Sequence, residues 1–81
     1  MHKLYYPYNL FFHIKIVPKD DTIKSLPAII DSLDMLESSV ITWYFEYGMS
    51  IEDISMMLDK DARPILKSAL SNIYFKIMKK I

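Results

Sequence analysis

The spacing of apolar positions changes near residue 20. In "YNLFFHIKIVP", Tyr8, Leu10, Phe12, Ile14 and Ile16 fall on one side, and Asn9, Phe11, His13, Lys15 and Val17 on the other. A period of two in aromatic and β-branched residues predicts a β-strand. Pro7 and Pro18 bracket it, and "PKDD" closes it as a turn. No second strand pattern follows, so the backbone of this strand needs partners. The expected solution is the same strand of a second copy, antiparallel across a two-fold axis, which makes the chain a homodimer. The alternatives are an extended arm over the helices or a short hairpin with "HKLYY".

From Asp21 onward the period is helical. Ile23, Leu26, Ile29, Ile30 and Leu33 share one face. Pro27 either sits in the first turn of a helix that starts near Ser25 and is capped by it, or kinks a longer helix. The first is the expectation. A second helix runs from about Leu36 to Tyr47, with Leu36, Val40, Ile41, Tyr44 and Phe45 inward. Gly48, the only glycine, is expected in a left-handed C-cap. "SIED" at Ser50–Asp53 reads as a capping box for a helix from Ile51 to Leu58, which buries Ile51, Ile54 and Leu58. "LDKDARP" is a turn, with Asp61 capping the last helix and Pro64 tolerated in its first turn. That helix turns Ile65, Leu66, Ala69, Leu70, Ile73, Ile77 and Ile81 inward. The predicted fold is mainly α: about four helices, the last two forming a helix-turn-helix, preceded by one N-terminal strand. Residues 1–19 form an interaction arm and residues 20–81 the helical domain.

Composition narrows the function. At 81 residues the chain is one domain with a small core, and a partner is a natural source of added stability. There is no cysteine, and His2 and His13 have no carboxylate at ligand spacing, so neither disulfide nor metal site is expected. No cofactor is implied. One glycine cannot build a phosphate loop, and no nucleophile–base–orienter set is visible, so an enzyme is not expected. Apolar runs break well before the roughly 18 residues of a membrane span. The start of the chain lacks a signal-peptide pattern, which points to a cytoplasmic protein with no membrane partner. Net charge is +0 but uneven: Lys3, Lys15 and Lys19 at the start, acids through the middle, then Lys60, Arg63, Lys67, Lys76, Lys79 and Lys80. Local charge of this kind leaves nucleic acid open as a partner.

"VITWYFEYGMSIEDISMML" resembles region 4 of sigma-70-type RNA polymerase factors and similar helix-turn-helix response-regulator tails. The shared elements are Val40-Ile41, Phe45, Gly48-Met49-Ser50, Glu52, Ile54, Ser55 and Leu58; "LKSAL" at Leu66–Leu70 resembles the family's "VKSRL". The resemblance covers about residues 33–80. It implies a transcription-associated regulator whose last helix enters the major groove of duplex DNA. The outer face would then use Arg63, Lys67, Ser68, Ser71 and Asn72 at the bases or phosphates, with Lys76, Lys79 and Lys80 by phosphate further along. Asp59 and Asp61 put negative charge at the groove-facing tip. The alternative is therefore a helix-turn-helix scaffold used for contact with RNA polymerase or another protein. Tyr5, Tyr8, Leu10, Phe11, Phe12, Ile14 and Ile16 are the expected protein interface.

Overall fold

The computed structural model describes residues 5–79. Among these residues there is no strand, and the fold is helical throughout. Five helices follow one another: α1 (Tyr8–His13), α2 (Asp20–Ser32), α3 (Met35–Ile41, continued by a π-helical segment, Thr42–Glu46), α4 (Ile51–Leu58) and α5 (Arg63–Lys79).

The segment expected as a strand is therefore α1. Its alternation conceals a second spacing: Pro7, Leu10, Phe11 and Ile14 stand at i, i+3, i+4 and i+7, and it is Leu10 and Phe11 that are buried, while Phe12 and Tyr8 are exposed. A helix satisfies its own backbone, which a lone strand cannot do. The β-branched residues that suggested a strand cluster at Ile14, Ile16 and Val17, beyond the last helical turn. Lys15 ends the helix in a left-handed conformation, φ 59°. The Ile16 amide donates to the Phe11 carbonyl at 3.1 Å and the Lys15 amide to that of Phe12 at 3.2 Å, a Schellman closure.

α2 also starts earlier than expected. Asp20 and Asp21 occupy its first turn, where the exposed amides favour negative charge. Pro27 thus lies inside the helix, not in its first turn, and Ser25 is no cap: its hydroxyl donates to the Asp21 carbonyl at 2.7 Å. Pro27 is on the solvent side, while Leu26, Ile29 and Ile30 are buried.

Two clusters make the core. The larger joins Leu10 and Phe11 of α1, the α2 stripe, Ile41 and Phe45, and Ala69, Ile73 and Ile77 of α5. The smaller gathers Val40, Ile54 and Ala62 under the α4–α5 turn, with Trp43, Met49, Ile51, Leu58 and Ile65 around it. Tyr44 and Leu66 touch both. The wider π-helical turn follows directly on Val40 and Ile41; from it Trp43 joins the smaller cluster, Phe45 the larger, and Tyr44 both.

Candidate functional site

The α4–turn–α5 corner is built as its residues suggest. Gly48 adopts φ +71°. The Ser50 hydroxyl accepts from the Asp53 amide at 3.1 Å, so α4 is capped from its own first turn. Asp59 ends α4 at φ 56°, with the Lys60 amide donating to the Ser55 carbonyl at 3.2 Å. Ser55 is small, as close helix crossing requires, and it also has a second task. Its hydroxyl accepts from the amide of fully buried Ala62 at 2.9 Å, across the whole turn. Ile54, at 0 % exposure, plugs the space below.

The tip of α5 departs from a groove-reading surface. Asp61 is not at the cap position as expected: α5 begins at Arg63, the Ala62 carbonyl accepts its first intrahelical bond, and Asp61 stands one residue earlier. Its Oδ1 accepts from the Arg63 amide and from Arg63 Nε, both at 3.0 Å, and its Oδ2 accepts from the other arm of the guanidinium at 3.0 Å. This is a forked, charge-assisted pair. Side-chain and backbone hydrogen bonds from Arg63 hold the Asp61 carboxyl below its ordinary range, and the Asp61 side chain raises the guanidinium in turn. Glu52 adds to that field, and with Ile51, Ser55, Asp61 and Arg63 it lines the shallow depression at the tip.

Glu37 occupies the adjoining side of α5. It sits in the first turn of α3, where the Asp34 side chain accepts from its amide at 2.9 Å. Its carboxylate accepts from the Ser68 hydroxyl at 2.7 Å and from Asn72 Nδ2 at 3.1 and 3.3 Å. Of the residues expected at DNA, Arg63, Ser68 and Asn72 are thus each hydrogen-bonded to a carboxylate of this chain. Lys67 and Ser71 are exposed, in a separate depression with Leu70, Tyr74, Phe75 and, from the end of α1, His13 and Ile14. Lys76 and Lys79 lie beside Ala28, Ile29 and Ser32. That is the C-terminal end of α2, whose last turn has no basic residue, and nearby cations offset its partial negative charge. Lys80 and Ile81 lie outside the described residues, as does most of the "HKLYY" alternative.

The expected N-terminal interface divides. Leu10 and Phe11 are core, at 0 % and 1 % exposure, and Ile14 and Ile16 pack against that core. Tyr5, Tyr8 and Phe12 are exposed. α1 is fastened further by Asn9, whose Nδ2 donates to the Phe45 carbonyl at 3.0 Å, and by His13 set edge-on to Phe45. Tyr6 is half-buried, and burial, with Glu46 nearby, raises its hydroxyl pKa.

Asp61 is legible as charge at the tip, but its two-armed hold on Arg63 is not. Glu37 gives no sequence signal at all, because Ser68 and Asn72 are distant along the chain. Among the described residues no group of three or more His, Cys, Asp or Glu side chains gathers at metal-binding distance, and no helix is long and apolar enough to cross a membrane. Comparison with protein-family models, with curated proteins and with solved structures finds no match.

Proposed function

We propose that this protein is a small cytoplasmic, transcription-associated scaffold of the helix-turn-helix kind that works through protein contact, without reading duplex DNA. The resemblance to sigma region 4 supplies the setting. The observation that carries the reading is the pair of carboxylates set against α5, one from the turn before it and one from α3: Asp61 matches the charge of Arg63, and Glu37 takes up Ser68 and Asn72. Base readout needs unengaged donors, and phosphate contact needs unmatched positive charge. Here Arg63, Ser68 and Asn72 are already engaged by carboxylates, which leaves Lys67 to meet phosphate on that half of the helix.

A duplex-DNA reading draws on a different feature. α5 carries Arg63, Lys67, Lys76 and Lys79 and no acid from Arg63 to Lys79. It requires Arg63 to leave Asp61, and Ser68 and Asn72 to leave Glu37, as DNA arrives. Fluorescence anisotropy with a pool of random duplexes at low salt separates the two. The protein-contact reading expects no saturable rise for the wild type. Saturable binding that weakens in both Arg63→Ala and Lys67→Ala would replace it with the DNA reading.

A further inference from the structure

We infer that the outer stripe of α5 is a self-association surface, on which a second copy of this chain lies antiparallel with the two-fold axis at Ser71. The inference rests on the protein-contact reading and names its partner. The stripe runs Lys67, Ser71, Tyr74, Phe75 and Met78, at i, i+4, i+7, i+8 and i+11, so it is one continuous side of the helix. Phe75 is 67 % exposed, Met78 44 % and Tyr74 37 %. Tyr74 and Phe75 meet edge to face, at 5.7 Å and 80°, which stiffens them as a pair. Three apolar side chains thus lie exposed side by side, and contiguous exposed apolar surface marks contact sites.

The choice of a second copy follows from the order of residues along the stripe. Lys67 and Phe75 stand four residues either side of Ser71. An antiparallel copy centred there sets each lysine over the other copy's Phe75, twice by symmetry, and a cation over an aromatic face is attractive. Ser71 at the crossing is small enough for two helices to approach closely. The two Lys67 side chains would be about 12 Å apart along the axis, beyond the screening length of ~8 Å in physiological salt. The other cations of α5 do not oppose the pairing. Arg63 is matched by Asp61, and Lys76 and Lys79 lie around the helix beside the end of α2. A single-stranded nucleic acid is the competing occupant for lysine beside aromatics. It needs a run of positive charge to follow its backbone, and this depression offers one lysine among Ile14, Leu70 and the aromatics.

The test uses the absence of cysteine from the chain. Sedimentation equilibrium of the full chain should give a dimer in the micromolar range. Ser71→Cys should cross-link into a covalent dimer under mild oxidation, and Ser68→Cys, which lies on the Glu37 side, should not. Lys67→Ala and Phe75→Ala are exposed substitutions that leave the fold intact by circular dichroism. Each should weaken self-association by about tenfold, since each removes two symmetric contacts. A wild type monomeric at several hundred micromolar overturns the inference. So does a dimer that Ser71→Cys fails to trap, or one indifferent to Phe75→Ala. Retention of single-stranded DNA by the wild type, lost in Phe75→Ala, would hand the stripe to the competing occupant. Binding of duplex DNA, measured separately, bears on the protein-contact reading and leaves the dimer result standing.

Discussion

The two ends of α5 rest on the same kind of apolar packing and present opposite chemistry to solvent. At the N-terminal end, Ile54 and Ala62 lie beneath, and the surface is polar, with Arg63, Ser68 and Asn72 bonded to Asp61 and Glu37. At the other end, Ile73 and Ile77 lie beneath, and the surface shows Tyr74, Phe75 and Met78. The features that build α4, the turn and α5, namely the glycine before α4, its serine cap and a small residue at the crossing, are all core and backbone requirements. None fixes what the outer face does. The corner can keep its shape while the chain's own acids take up Arg63, Ser68 and Asn72 on the outer side of α5.

The comparison breaks most visibly if either end is loosely anchored. Ile54→Ala and Ile73→Ala each delete a fully buried side chain, and each should cost about 2–5 kcal/mol in urea unfolding. Similar costs mean the two surfaces differ on equally firm ground. A cost under about 1 kcal/mol for Ile54→Ala would mean that α4 and the turn are only loosely joined to the rest.

Ser55→Ala comes next. It keeps the small size that the crossing needs and removes the acceptor of the buried Ala62 amide. Leaving that donor unsatisfied should cost about 1–3 kcal/mol. A neutral result would mean that size alone explains the serine.

Much of this architecture can be read from local signals. Gly48, the Ser50 cap, the inward stripe of α4 and the Ala69, Ile73 and Ile77 face of α5 each follow from a few adjacent residues and a period near 3.6. α1 resists the same treatment. With apolar residues at both odd and even positions, Tyr8–Val17 satisfies a period of two and a helical spacing at once. The decision falls to the distant residues of the larger core cluster, Phe45 and Ile73 among them, which Leu10 and Phe11 join. Pro27 misleads for a related reason: a proline suggests a helix start, yet Leu26, Ile29 and Ile30 bury enough apolar surface to carry α2 through it. The candidate site divides likewise. Which residues face outward on α5 is legible from periodicity. That Glu37 reaches Ser68 and Asn72 is a tertiary contact that no local pattern encodes.

Two smaller effects sharpen the contrast at the polar end. Glu37→Ala should cost about 0.5–1 kcal/mol, because the hydrogen bonds it removes are solvent-exposed. Its signature should be local, with the Asn72 side-chain amide losing its distinct NMR shifts. An unchanged Asn72 would mean that Glu37 does not hold that side of α5. Asp61 provides the pH test. Its carboxyl is lowered by Arg63, so the stability it contributes is present above the unfolded-state value near 3.8 and is lost as pH falls through the lower folded value. An NMR titration of Asp61 should find a midpoint below 3.8 that returns toward it in Arg63→Ala. Equal midpoints in the two proteins would dissolve the forked pair.

On the proposed reading, Asp61 and Glu37 engage Arg63, Ser68 and Asn72, and the exposed Lys67 and Ser71 are too few to hold duplex DNA. The most direct measurement is anisotropy of a labelled random duplex, at low salt, titrated with wild type and with the Asp61→Ala, Glu37→Ala double substitution. The expected result is no binding by the wild type, and weak, salt-sensitive binding by the double variant once Arg63, Ser68 and Asn72 are released. Wild-type binding as tight as the variant's would contradict it, because the acids would then be no barrier.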